Sequence, residues 1–393
     1  MPSAGPKLLI LGTRGLPAAH GGFETFAEKL ALYLVGRGWQ VSVYCQNDVT
    51  RFDRRITTDI WQGVERLHVG VTSRGPKATL EFDWHCVRDA AARGGVCLVL
   101  GYNGAVFLPW LRASGRKVIT NMDGVEWRRP KWPAPVRAWF WVNEWIAAYA
   151  SHRMIADHPG IADHLATRRT RARTAMIPYG AEPVEAASAE PARALGLTPD
   201  NYLVSIARIE PDNSILKMVE AFSAAPRKAK LLVLGKLEEG NVYHRAVRAA
   251  ASYEVVFPGA IYEAAAVQAL RFHARAYMHG HTVGGTNPSL VEALWAGNAV
   301  IAHDNIFNRW TAGAAGVFFN DQSQCEGLIA QALGDPGHIA RARLAAKAQA
   351  RALFDWRDVL RAYEDEITAL LPHDTPAYQP ALAARAKAAG QPR

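Results

Sequence analysis

The run Leu8-Leu9-Ile10-Leu11, halted at Gly12, does most to narrow the fold. Four consecutive apolar residues without polar alternation suit a strand buried on both faces, which is the situation of a parallel sheet covered by helices on each side. Phe26, Leu30 and Leu34 follow at helical spacing, and Val41-Ser42-Val43-Tyr44-Cys45 reads as a second strand, so the opening stretch predicts a βαβ unit. Apolar runs recur at 64–71, 96–100 and 118–121, then start afresh at 202–206, 231–235, 254–257, 276–278 and 299–302, with stretches able to form helices between them. The chain has 393 residues, and at roughly 100 to 200 residues per domain this alternation makes two α/β domains of Rossmann-like type in tandem.

Pro183, Pro191 and Pro199 break the periodicity between the two sets and mark the linker region. Trp356, Val359, Leu360, Tyr363, Ile367 and Leu370 share related faces of a terminal helix. The division expected is therefore 1–180, 181–355, a helix at 356–372 packing back across the domains, and a flexible tail at 373–393 rich in Ala, Pro and Arg.

Hydrophobic residues make up 49% and charged residues 21% of the chain, a mix that excludes disorder throughout. The 45 Lys and Arg exceed 36 Asp and Glu, and the formal +9 suits a phosphate-rich ligand, nucleic acid or an anionic membrane. Neither a stacked basic-aromatic repeat nor a helix-turn-helix signal is present, which argues against nucleic acid. Cys45, Cys86, Cys97 and Cys325 are too scattered for a zinc site or a disulfide framework, so reduced thiols are expected. No apolar run approaches the ~18 residues of a membrane span. The expectation is a cytoplasmic protein, neither exported nor membrane-spanning by itself.

The segment Gly284-Gly285-Thr286-Asn287-Pro288-Ser289-Leu290-Val291-Glu292 follows the strand at 276–278. Glycines permit close backbone approach, and Pro288 suits a first helical turn, where its missing N–H would be unbonded anyway. The positive end of that helix then makes an anion site, with Glu292 one turn in, able to accept hydrogen bonds from ribose hydroxyls. The alternative is a strand-to-helix turn with Glu292 as a surface charge. Gly12-Thr13-Arg14-Gly15-Leu16-Pro17 and Gly21-Gly22-Phe23-Glu24-Thr25 form the first strand-to-helix loop, where open parallel sheets bind ligands. Its spacing is not GxGxxG, and no GxxxxGK[ST] occurs, which disfavours a dehydrogenase or an ordinary NTPase. Arg208, in Ala207-Arg208-Ile209-Glu210-Pro211, leaves a strand end and can hold a diphosphate bidentately. Asp123-Gly124-Val125-Glu126-Trp127-Arg128-Arg129 leads into a stretch holding Trp132, Trp139, Trp141 and Trp145, which with Lys131 and Arg137 fits a lipid surface, sugar stacking or plain packing. His281 and the pair His303-Asp304 also sit near strand ends, and His303 is given no role.

Taken together with Ile177-Pro178-Tyr179-Gly180-Ala181-Glu182 and His281-Thr282-Val283, these strings resemble the GT-B glycosyltransferases of family 4, within them the bacterial β-1,4-rhamnosyltransferase type. The resemblance runs in order from about residue 8 to about residue 320. It implies a GT-B fold, two Rossmann-like domains facing a cleft, with a nucleoside-diphosphate sugar held mainly by the second and the acceptor by the first. By analogy Arg208 and Glu292 act on the diphosphate and ribose and Asp123 lies on the acceptor side, these three being the candidate catalytic residues. Gly21, Gly22, Asn213, Gly284, Gly285, Thr286, Asn287, Pro288, Ser289 and Leu290 complete the donor set, while Glu126, Trp127 and Arg128 join Asp123 at the acceptor. The implied activity is that of a retaining hexosyltransferase, best matched to dTDP-L-rhamnose and a lipid-linked or saccharide acceptor in cell-surface polysaccharide assembly. It would lie peripherally on the inner face of the membrane and need neither cofactor nor metal. A non-catalytic nucleotide-sugar or polyanion module and a nucleotide-sugar epimerase are the rival readings. Two departures stand out: Gly284 replaces the first carboxylate of the family's Glu-x7-Glu, and Asn213 occupies the place of a diphosphate lysine, for which Lys217 or Lys236 are candidate substitutes.

Overall fold

The computed structural model describes residues 5–19, 21–49, 51 and 55–371. The expected tail at 373–393 and His20 lie outside the described residues. The chain divides into two compact units, one reaching Ile177 and resuming at Leu360, the other spanning Pro178–Val359.

The first unit contains, in order, β1 (Lys7–Leu11), α1 (Gly22–Val35), β2 (Gln40–Asp48), β3 (Ile56–Trp61), β4 (Val64–Val71), α2 (Pro76–Arg93), β5 (Val96–Leu100), α3 (Leu108–Ala113), β6 (Lys117–Asn121), α4 (Ala134–Ala150), β7 (Arg153–Ala156), α5 (Pro159–Ala166) and β8 (Thr174–Met176). Its strands order as β3-β4-β2-β1-β5-β6-β7-β8, parallel except for the antiparallel edge pair β3/β4, where Thr58 faces Leu67. Leu8, Leu9 and Ile10 are wholly buried, as a central strand covered on both faces requires. The β1-to-β2 crossover moves one way along the sheet, whereas those carrying α2, α3, α4 and α5 all move the other way. Right-handed crossovers therefore lay α2 to α5 side by side on one face and α1 on the opposite face.

The second unit contains α6 (Glu190–Ala194), β9 (Tyr202–Ile206), α7 (Ile215–Ser223), β10 (Lys230–Leu234), α8 (Val242–Ala250), β11 (Val255–Gly259), α9 (Ala264–Phe272), β12 (Ala276–His279), α10 (Pro288–Trp295), β13 (Ala299–His303), α11 (Ile306–Ala312), β14 (Gly316–Phe319), α12 (Gln322–Gly334) and α13 (Pro336–Leu353). The sheet is parallel in the order β11-β10-β9-β12-β13-β14. One core beneath it gathers Leu270, Leu290, Leu294 and Ala346 from α9, α10 and α13; the other gathers Met218, Val247 and Ile329 from α7, α8 and α12. β9 and β12 are neighbours, yet the chain leaves β9 toward β10, so the strand order reverses at their carboxyl ends. That reversal opens the crevice in which open α/β sheets bind ligands.

The last helix, α14 (Trp356–Thr368), begins in the second unit, where Trp356 meets Tyr179 with ring centroids 4.9 Å apart. From Leu360 onward it belongs to the first unit. There Phe26 and Tyr363 approach to 4.5 Å, and the Glu364 carboxylate accepts from Tyr33 Oη (2.9 Å), Arg37 Nε (2.9 Å) and Trp39 Nε1 (3.2 Å). All four cysteines are buried and unpaired.

Candidate functional site

In the second unit a cavity of about 220 Å³ sits at the β9/β12 reversal, lined by residues 205–208, Asn213, residues 277–281 and residues 287–289. Five of the sequence candidates come together there: Arg208, Asn213, Asn287, Pro288 and Ser289. Arg208 reaches outward with 68% of its side chain exposed, and its ion pair to Glu210 at 3.3 Å is loose enough to be exchanged for a ligand anion. Asn213 has a different task from a lysine. Its amide donates to the Arg208 carbonyl at 2.8 Å and its oxygen meets His281 Nδ1 at 2.7 Å, so it fixes the backbone from which Arg208 projects. Gly280 allows this, because a Cβ there would lie 2.1 Å from the Asn213 carbonyl.

The opposite wall is the start of α10. Asn287 caps it, its side-chain oxygen accepting the Ser289 N–H at 3.0 Å, with Pro288 in the first turn. The Ser289 amide is therefore spent on the cap, while its hydroxyl lies 2.7 Å from Tyr277 Oη and accepts from Arg271 Nη2 at 3.0 Å. Leu290 lies in the core with no exposed surface and its amide on the Asn287 carbonyl, so it serves the site only by seating the helix. Gly285 takes φ +105°, a conformation glycine adopts without cost, and Thr286 beside it is buried. Gly284 is closed in differently: a Cβ there would stand 2.4 Å from the Phe307 ring. Residue 284 is thus backed by the edge of an aromatic ring.

Glu292 stands one turn into α10, outside the cavity lining, and its carboxylate is held by Arg271 at 2.5 Å. Arg271 is 5% exposed, with its Nε unpartnered among the described residues. Sequence reasoning missed Arg271 and Tyr277. A cation on the buried side of α9 leaves no mark in the hydrophobic pattern. His279, beneath the cavity, is kept neutral by burial and the neighbouring His281, its pKa well below the ordinary value. Lys217 donates to the Asn320 carbonyl at 2.7 Å and Lys236 pairs with Glu238 at 2.9 Å. Neither lines the cavity, which corrects the expectation that one replaces the missing lysine.

The remaining candidates lie in the first unit. The loop after β1 is anchored by the buried Glu24, which accepts the Arg14 N–H at 3.0 Å, and Gly12 at φ +83° passes so near β5 that a Cβ would meet the Leu100 carbonyl at 2.2 Å. Gly21 is the N-cap of α1 and Gly22 its first residue. Beyond β6, Asp123 adopts φ +50°, its amide donating to Asn121 Oδ1 at 2.9 Å. Burial and the neighbouring Glu126 push its carboxyl up to about 6. Glu126 is engaged by Arg129 at 2.7 Å and by Trp132 Nε1 at 3.3 Å, and Trp127 donates to the buried Glu144 at 2.9 Å. Arg128 is exposed over the Trp127 ring, 5.1 Å from its centroid. Among the described residues no group of three His, Cys, Asp or Glu side chains converges as a metal site. No described helix is long and apolar enough to cross a membrane.

Residues 6–182 match a family model described as "Domain of unknown function (DUF1972)". No curated protein matches the chain. Among solved structures, sucrose-phosphate synthase from Thermosynechococcus elongatus superposes with a TM-score of 0.76 at 16% identity, over 93% of this chain and 99% of that one. HepE from Anabaena, solved with UDP and glucose, gives 0.74 at 15% identity over 93% and 100%. A UDP-forming trehalose-phosphate synthase from Burkholderia xenovorans, in complex with glucose-6-phosphate, gives 0.70 at 13% identity over 93% and 100%. These neighbours are GT-B glycosyltransferases, and the chain has the same two-domain, parallel α/β GT-B fold.

Proposed function

We propose that this protein transfers a sugar from a nucleoside diphosphate to an acceptor hydroxyl. The observation carrying the reading is the convergence of an outward Arg208, braced by Asn213, and the capped start of α10 on one cavity at the strand-order reversal. A diphosphate there meets the exposed Arg208 guanidinium, which exchanges Glu210 for the ligand, and the positive end of a helix held in place by its cap. Glu292, oriented by Arg271, presents a carboxylate for ribose hydroxyls. The names of the structural neighbours, which include a UDP-forming synthase and a complex with UDP and glucose, support the same ligand class.

Cleavage of the glycosidic bond leaves charge on the departing diphosphate and oxocarbenium character on the sugar. Arg208, once it has exchanged Glu210 for the diphosphate, stabilises that charge, and the α10 terminus adds a fixed dipole. In this reading neither a metal nor an enzyme nucleophile is required: the acceptor hydroxyl attacks the anomeric carbon from the leaving-group face as its bond to the diphosphate breaks, the hydroxyl proton passes to the departing diphosphate oxygen, and the anomeric configuration is retained. On the first unit, Asp123, Glu126, Trp127 and Arg128 are the residues assigned to acceptor binding. The donor best matched is dTDP-L-rhamnose, since Gly284 offers no carboxylate for sugar hydroxyls and a 6-deoxy sugar has fewer of them to hold, and the acceptor is a lipid-linked or other saccharide.

The test is release of free nucleoside diphosphate on adding saccharide acceptors to a panel of nucleotide sugars, with the product anomer read by NMR. Acceptor-dependent release supports transfer. Interconversion of the donor without acceptor would indicate an epimerase, and binding without turnover a non-catalytic module.

A further inference from the structure

The outer surface of the α2–α5 layer carries an apolar crest that the proposed chemistry does not use. On α4 the buried side is marked by Asn143, Glu144, Ala147 and Ala148. Opposite them Ala138, Val142, Trp145 and Tyr149 follow one another at helical spacing, with Trp141 beside them. Trp141 is 45% and Tyr149 58% exposed; on the neighbouring α3, Trp110 is 54% exposed and packs edge-on against Trp84 of α2 at 5.9 Å. Large side chains on two adjacent helices, α3 and α4, thus face solvent together, with the half-buried Trp84 of α2 behind Trp110, beyond what scattered surface apolar residues would give.

Cations surround this crest. Arg168 lies 4.8 Å from the Trp145 ring, Arg169 5.6 Å from Tyr149, and Arg88 5.8 Å from Trp84. Residues 101–180 hold twelve Lys and Arg against five Asp and Glu, so seven of the chain's nine surplus positive charges fall in this stretch. Three of those five acids, Glu126, Glu144 and Asp163, are already paired within the unit. The field is dense enough that Arg112, Lys117, Arg173 and Arg169 help burial hold His152 down to about 4.

We infer that this face seats the protein on an anionic phospholipid surface, with the Trp and Tyr rings at headgroup depth and the flanking arginines on lipid phosphates. Amphipathic rings beside guanidinium groups suit that boundary. A nucleic acid is a poorer fit: Trp139 Nε1 is tied to the Asn103 carbonyl at 3.1 Å, and the crest adds the aliphatic Val142, which offers bases nothing to stack on. The inference goes beyond the glycosyl-transfer reading, and its test has a readout independent of turnover.

Full-length protein is sedimented with vesicles of phosphatidylcholine alone and with vesicles also containing phosphatidylglycerol. Binding should be confined to the anionic vesicles, weaken with salt, and fall at least tenfold in a Trp110→Ser/Trp141→Ser double variant with an unchanged melting temperature. A second pair, Arg88→Glu/Lys131→Glu, alters exposed charges only and should weaken binding comparably. Equal partition into neutral vesicles, binding by both variants like the wild type, or capture of an RNA oligomer in place of vesicles would overturn the inference. So would loss in the variants of a self-association seen without lipid.

Discussion

Arg208 and Glu292 are held differently, and the difference decides how each is tested. Arg208 is exposed and loosely paired, so Arg208→Ala should leave the fold intact and cut transfer at least tenfold, about 1.4 kcal/mol in the transition state, measured as kcat/KM. Glu292→Ala would strand the buried Arg271 without its carboxylate and so confuse stability with function. Glu292→Gln keeps the shape and an oxygen for Arg271 to bond, and with the melting temperature read beside kcat/KM it is the more informative variant, with a comparable loss of activity expected. Asp123 adds a pH signature. Its carboxyl titrates near 6 in the folded chain against 3.8 when unperturbed, so the folded state binds the proton more tightly and loses stability as pH rises between those values. Asp123→Asn should therefore raise the unfolding free energy at about pH 8 by at most about 3 kcal/mol, seen as a higher melting temperature, and have little effect at about pH 4. A stabilising substitution at a strained, half-buried carboxyl is what a residue kept for function would show.

At the level of elements, two positions make defined predictions. Gly284→Ala should cost about 1–3 kcal/mol by forcing a Cβ against Phe307, and adding Phe307→Ala should recover part of it, read by urea denaturation. Glu364→Ala should lower stability by about 3 kcal/mol, since Tyr33, Arg37 and Trp39 all lose their acceptor on α14. The elements also show where sequence reasoning reached its limit. Central strands were legible because burial on both faces leaves unbroken apolar runs, as at Leu8-Leu9-Ile10-Leu11 and Leu231-Leu232-Val233-Leu234. The edge strand β3 was not, because Thr57, Thr58 and Asp59 face solvent, and β7 and β8 are too short for a pattern to develop. Asn287-Pro288-Ser289 was legible as a helix start because capping chemistry is local. The Arg271–Glu292 pair and the Tyr277–Ser289 contact join separate elements, and no spacing in the sequence encodes them.

For the molecule as a whole, the strand order of the second unit does the most to define function. Any parallel sheet that reverses direction between β9 and β12 opens a crevice there, and this chain furnishes it with a cation, a capped helix and a braced asparagine. The measurement closest to that claim is nucleotide binding itself, by calorimetry or thermal shift, with nucleoside diphosphates and their sugars. A ligand that binds only the native form at one hundred times its Kd stabilises it by about 2.7 kcal/mol, a shift that is readily read. Such a shift is expected with at least one nucleoside diphosphate, its affinity weakened at least tenfold by Arg208→Ala. Affinity unchanged in that variant, or no response to any nucleoside diphosphate, would contradict it.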